Sequence, residues 1–115
     1  MADDDCVFCK IVTGEIPADV VHESPTTVAF RDLDPQAPTH VLVIPRRHEP
    51  NAAALGAVAP TELADLVAAA AAVAEQDGLD DGYRLVLNTG AGAHQTVFHA
   101  HLHVLGGRSM TWPPG

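Results

Sequence analysis

Three histidines at alternate positions, His99, His101 and His103, are the residues of this chain best suited to chemistry. In an extended chain successive side chains point to opposite faces. The segment Phe98-His99-Ala100-His101-Leu102-His103-Val104 therefore sets three imidazoles on one face and Phe98, Ala100, Leu102 and Val104 on the other. The apolar face belongs to a core, so the imidazole face looks into a site or into solvent. The run lies inside a strand pattern and not at a terminus, which argues against an affinity tag. Two chemistries fit. Three imidazoles spaced about 6–7 Å apart along a strand can hold a catalytic zinc ion. Alternatively, a neutral imidazole with a pKa near ~6.5 can attack phosphorus, form a covalent intermediate and leave again, while its neighbours fix its tautomer and move protons.

The second constellation is Cys6-Val7-Phe8-Cys9, whose spacing matches one half of a zinc site. A redox role for such a pair requires a helix start in a thioredoxin-like setting, and the sequence predicts none there. The plain packing reading is two small buried hydrophobes beside Phe8.

These residues need a framework. Val20 to Ser24 and Thr27 to Phe30 read as two strands around a turn at Ser24-Pro25, and Asp34 to Pro38 as a proline-rich loop. His40 to Pro45 is a β-branched apolar run, hence a buried strand. Pro50 to Pro60 reads as a loop with some helical turns. Pro60 or Thr61 opens a helix running to about Asp77, with Leu63, Leu66, Val67, Ala70, Val73 and Ala74 on one apolar face and Gly78 at its stop. Tyr83 to Asn88 is another strand, Thr89 to Ala93 a turn, and Val97 to Leu105 the last strand. Five largely antiparallel strands with one main helix make an α+β domain.

At 115 residues the chain suits a single domain spanning 1–115, with Met1 to Asp5 as an acidic disordered tail. A hydrophobic content of 47% supports a core, although only 4% of residues are aromatic, so aliphatic side chains must fill it. So small a chain gains from dimerisation or a structural metal. The net charge of -9 opposes binding to nucleic-acid polymers or anionic membranes. A phosphate site must then be compact and built from neutral or switchable groups, which describes histidine. The acidic N-terminus is unlike a signal peptide, and no apolar run reaches the ~18 residues of a membrane span. A cytoplasmic protein is expected, and a reducing compartment argues against a structural disulfide between the cysteines.

The run His99-Ala100-His101-Leu102-His103-Val104-Leu105 resembles the signature of the histidine triad (HIT) superfamily. The resemblance covers nearly the whole chain. Phe8-Cys9-Lys10-Ile11 with Glu15-Ile16-Pro17, Gln36 to His40 with Val43-Ile44-Pro45, and Asn88 with Gln95 to Phe98 all look like family segments. Gly106-Gly107-Arg108 and Trp112-Pro113-Pro114-Gly115 resemble the Hint branch of dimeric purine nucleoside phosphoramidases.

That resemblance implies a role for each matching residue. His101 would attack a nucleotide α-phosphate, forming nucleotidyl-His101 that water then hydrolyses. His103, Gln95, Asn88 and the Thr96 hydroxyl would supply donors to the phosphate, where much of the catalysis resides. His40, on burial grounds alone a satisfied core histidine, would orient the triad through a hydrogen-bonded relay. Asp32 would accept from the ribose hydroxyls, and Phe8, Ile11, Phe30 and Leu33 would line an apolar slot for the base. Some bacterial relatives hold structural zinc through ligands that correspond to Cys6, Cys9, His48 and His99; a closed four-ligand site would be structural and outside the chemistry. A homodimer is implied, with Trp112 of one subunit near its partner's site. His94 departs from the small residue common at its position, and both it and His22 are expected to face water. A nucleotide-binding scaffold without turnover and a three-His zinc hydrolase are the competing readings. The resemblance does not choose between adenine and guanine.

Overall fold

The computed structural model describes residues 5–115. Most of the expected acidic tail, Met1 to Asp4, lies outside the described residues. In chain order the elements are α1 (Val7–Thr13), β1 (Val20–Glu23), β2 (Thr27–Arg31), β3 (Thr39–Pro45), α2 (Ala52–Val58), α3 (Pro60–Gln76), β4 (Tyr83–Val86), a short 3-10 turn (Ala91–Ala93) and β5 (Leu102–Gly106). The strands form one sheet in the order β1-β2-β3-β5-β4, every pairing antiparallel. Among the described residues no helix is long and apolar enough to cross a membrane.

The register divides the core in two. β3 lies at the centre of the sheet and is buried along its whole length, which explains its unbroken apolar run. Val41 pairs with Val104 and Val43 with Leu102, and these residues join Ala29, Leu66, Ala70 and Val73 in the core beneath α3. Leu42 pairs with His103 and also with Phe30 across β2; Phe30, Leu42 and Ile44 pack with Cys6, Phe8 and Cys9 on the opposite face. The sheet thus separates a largely apolar helix-packed face from the face that carries the His40 and triad imidazoles.

Pro60 stands in the first turn of α3, where its missing N–H costs nothing, and Gly78 follows the helix in the left-handed region at φ 68°. Val67 is half exposed, contrary to its expected place on the buried face, and Ala69 is buried instead. Asp77, at the end of α3, takes two hydrogen bonds from the Arg31 guanidinium at 2.8 and 3.0 Å and one from Thr39 Oγ1 at 2.7 Å. These bonds pin the helix to β2 and β3, and the Arg31 hydrogen bonds hold the Asp77 carboxyl below its ordinary range. Asp77→Ala is expected to cost about 2 kcal/mol in urea unfolding, the scale of charge-assisted hydrogen bonds lost from a partly screened site. An unchanged midpoint would contradict this role.

Four further expectations need correction. The segment Cys6 to Thr13 is helical, with Cys6 as its N-cap, so Cys6-x-x-Cys9 does stand at a helix start. Pro50 to Pro60 contains a true helix, α2, capped by Asn51 Oδ1 accepting from Ala54 N–H at 2.9 Å. The last strand begins at Leu102 and not at Val97: its ladder with β3 starts with Leu102 opposite Val43, and the remainder of β3, Ile44 and Pro45, pairs only with β2. β4 likewise stops at Val86, short of Asn88.

Candidate active site

The alternation of the triad survives without a strand to enforce all of it. Ala100, Leu102 and Val104 enter the α3-side core, and the three imidazoles turn to the other face. Phe98 breaks the pattern: it is 53% exposed, since the chain there is a bend outside the ladder. Ala100 N–H donates to Glu49 O at 2.7 Å and holds the segment in place.

Hydrogen bonds divide the triad into distinct tasks. His101 Nδ1 lies 2.8 Å from the His99 carbonyl. A carbonyl only accepts, so Nδ1 carries the hydrogen and neutral His101 keeps a bare lone pair on Nε2. His101 lines a cavity of about 320 Å³. A second set of hydrogen bonds fixes His40 and His103. The Gln36 backbone N–H donates to His40 Nδ1 at 3.0 Å, so neutral His40 carries its hydrogen on Nε2. That nitrogen faces His103 Nδ1 at 2.9 Å and donates to it, leaving neutral His103 with its hydrogen on Nε2. The pair thus presents an uncharged donor at His103 beside an uncharged lone pair at His101, their rings 5.0 Å apart.

Burial keeps His40 and His103 neutral. Burial lowers the His40 pKa, against the opposing pull of Asp32 and Asp34. Burial, reinforced by His101 and His40, pushes His103 down to about 4. A folded-state pKa below the unfolded value of about 6.5 means stability is fully present above that value and is lost as pH falls through about 4. Unfolding free energy is therefore expected to drop on the order of 2 kcal/mol more in wild type than in His103→Asn between pH 7 and pH 4, after allowance for partial solvent screening. Parallel urea titrations of the two proteins check this, and equal pH slopes would contradict it.

The same cavity gathers most of the expected ligand-facing residues. Phe8, Ile11, Phe30, Asp32, Leu33 and Thr96 line it with His101 and His103. Leu33 projects entirely into solvent, so it forms a rim and not a packed wall. Val7, Ile16, Pro17, Ala18, Arg31, Leu42 and Val97 complete the lining. Asp32 Oδ2 lies 3.4 Å from His40 Nε2, and Oδ1 accepts from Asp34 N–H at 2.8 Å. Asp32, His40 and His103 lie close enough together to suggest a metal site. The Gln36 bond argues against one: a metal on His40 Nε2 would require the imidazole to give up its only hydrogen.

Three expected contacts lie elsewhere. Gln95 is buried, but its Oε1 accepts from Gly90 N–H and its Nε2 donates to Pro50 O and Val97 O, so its amide hydrogens are committed to shaping the loop. Asn88 is part-buried and does not line the cavity. Trp112 is exposed on this single chain, well along the C-terminal segment that Arg84 ties to β4 by donating to Thr111 O. His94 is exposed, as expected, in the left-handed region at φ 64°. His22 is not fully solvated: it is part-buried, and its Nδ1 is buried with no hydrogen-bond partner. A larger hollow of about 750 Å³, bounded by Gly78 to Arg84 and Gly107 to Met110, contains no histidine.

His99 belongs to a different cluster. Its Nε2 donates to Pro45 O at 2.9 Å, which leaves the lone pair on Nδ1. Nδ1 lies 3.4 Å from Cys6 Sγ, 3.5 Å from Cys9 Sγ and 3.2 Å from His48 Nδ1; Cys9 Sγ is 3.3 Å from His48 Nδ1. A tetrahedral zinc ion with ordinary bond lengths needs S···N edges of about 3.5 Å and N···N edges of about 3.4 Å. The four side chains fit that polyhedron, and the Pro45 carbonyl supplies the outer hydrogen bond that orients a ligating imidazole. Burial lowers the pKa of His99, favouring the neutral ring that a metal requires. With its two nitrogens committed to this cluster and to Pro45, His99 cannot share a metal with His101 and His103. The reading of a single three-His zinc centre is corrected accordingly.

The model of the HIT domain family matches residues 13–110. A 14 kDa zinc-binding protein of Zea mays is 46% identical over 119 residues, spanning 98% of this chain and 90% of the relative. A HIT family hydrolase from Legionella pneumophila superposes with a TM-score of 0.92 at 50% identity, covering 96% of this chain and all of the other. A histidine triad nucleotide-binding protein from Candida albicans gives a TM-score of 0.82 at 32% identity, covering 95% and 83% of the two chains.

Proposed function

The chain belongs to the HIT domain family, and we propose that it is a hydrolase of purine nucleoside 5′-phosphoramidates that works through a covalent intermediate on His101. One observation carries this reading: the His99 carbonyl takes the Nδ1 hydrogen of His101, which leaves Nε2 as a bare nucleophile at the cavity. The Nε2 lone pair forms a bond to the α-phosphorus as the phosphorus–nitrogen bond breaks, and the departing amine takes a proton from water. A second water then attacks the nucleotidyl-His101 and displaces Nε2, its proton neutralising the hydroxide left by the first water, and the mononucleotide is released. The Nε2–H of His103 and the hydroxyl of Thr96 donate to the phosphate oxygens as charge gathers there. Asp32 accepts from the ribose hydroxyls, and Phe30, Ile11 and the rim residue Leu33 receive the base.

Zinc fits the cluster of Cys6, Cys9, His48 and His99. With four protein ligands it would be closed to substrate, so its contribution there is structural. The thiols suit a reducing cytoplasm. The functional unit is a homodimer, in which Trp112 of one protomer approaches its partner's site.

A panel of adenylate and guanylate amidates and esters tests the substrate class. Turnover of the amidates, with slower or no turnover of the corresponding esters, is the expected result. Tight nucleotide binding with no turnover of any member would favour a non-catalytic nucleotide-binding scaffold.

A further inference from the structure

The cluster that could hold a metal and His101 are separate sites, yet two links join them, a hydrogen bond to the His99 carbonyl and a ring contact with Phe8. We infer that the cluster positions His101, with the His99 main chain and the Phe8 ring as its two arms. The inference rests on the reading of His101 as the nucleophile.

The first arm runs through one residue. His99 offers its ring to the cluster and its carbonyl to His101 Nδ1–H at 2.8 Å. The segment before Leu102 has no strand partner, since the ladder with β3 begins with Val43 opposite Leu102. The sheet therefore does not place the His99 carbonyl. Side-chain and loop bonds do so: Gln95 Nε2 to Val97 O, His99 Nε2 to Pro45 O, Ala100 N–H to Glu49 O, and the cluster itself. Release of the His99 ring would free the acceptor that selects the His101 tautomer.

The second arm is helix α1. Seven residues are too few to be a stable helix alone. Its N-cap Cys6 and its Cys9 are both cluster members, and Phe8 stands between them. The buried Phe8 ring meets His101 nearly edge-on, with centroids 5.1 Å apart and planes at 82°. It also touches His99 at 5.9 Å and Phe30 at 5.6 Å. Rotation of the His101 ring, which would swing Nε2 away from the phosphate, runs into Phe8. Phe8 is thus a positioning residue as well as part of the cavity wall. The metal centre never meets the substrate but governs where Nε2 points.

The experiment reads the tautomer of His101 directly, through two-bond ¹⁵N–¹H correlations of the imidazoles at one fixed pH. Zinc-loaded full-length protein, the same protein after chelation, and the chelated protein with zinc restored are compared. The loaded protein is expected to show a protonated Nδ1 and a bare Nε2 at His101. Chelation should give a mixture of tautomers, and added zinc should reverse it. Phe8→Ala, studied with zinc bound, should keep about one zinc per chain yet shift the His101 signals the same way. Its kcat should fall about tenfold, as expected for a displaced attacking atom. If chelated protein unfolds, the Phe8→Ala arm decides alone, with circular dichroism as the control for folding. An identical His101 signature in all states, or a Phe8→Ala effect confined to KM, overturns the inference. A zinc-dependent tautomer in a protein that forms no nucleotidyl adduct would leave the coupling standing and remove the nucleophile reading instead.

Discussion

Replacing His101 with alanine is expected to lower kcat on the order of 10⁴-fold or more, with nucleotide binding weakened far less. The expectation follows from the separation of roles within the triad. His101 alone combines a bare Nε2 with a place on the cavity, whereas His99 faces the thiols and His103 presents a hydrogen. In the proposed reading binding draws on Asp32, Phe30 and the rest of the cavity lining, which the substitution leaves in place. The His103→Ala variant should be milder, because Thr96 and water can still meet the phosphate. Steady-state kinetics of the two variants, with a nucleoside monophosphate binding isotherm for each, check the order. Equal losses in both, or a His101→Ala variant near wild-type turnover, would contradict it.

The second large effect concerns stability. Cys9→Ser, or exhaustive chelation of the wild type, is expected to lower the melting temperature by on the order of 10–15 °C, corresponding to a loss of about 3 kcal/mol in a domain of this size. The cluster joins the start of α1, the chain just beyond β3 and the segment before β5, three parts distant in sequence. Remaining stability comes from the core under α3, which does not include the cluster, so the chain should keep its sheet when the metal leaves. Differential scanning calorimetry with and without zinc checks this, and a transition unmoved by chelation would contradict it.

The parts of the molecule that could be read from sequence were those written in local pattern. The apolar run at β3, the periodicity of α3 and the alternation at the triad each follow from geometry within a few residues. The reading of α1 failed for a physical reason. Val7 to Thr13 spans too few residues for a helical period to declare itself, carries β-branched residues, and is capped by a cysteine sulfur accepting from Cys9 N–H. Its helix depends on partners such as His48 and His99, far along the chain. The α2 helix did leave a local signal in Asn51, an N-cap residue before an alanine run. Gln95 illustrates the opposite limit: family likeness made it a donor to the phosphate, but its partner Pro50 O is 45 residues away, and only three dimensions reveal that its amide is already spent. Phe98 misled because alternation was extended past the first ladder pair, where no neighbouring strand holds a side chain to one face. The family resemblance supplied what spacing alone left open, namely that the cysteines and His99 form one group and His101 another.

The most direct test of the account is the site of covalent attachment. Protein mixed with a purine nucleoside 5′-phosphoramidate, quenched in acid-free denaturant within the first turnover and digested for mass spectrometry, is expected to carry one nucleotidyl group on the peptide containing His101, at that residue. A nucleotidyl group on His103, His40 or any other side chain, or turnover with no adduct at any quench time, would contradict the assignment of His101 as the attacking group.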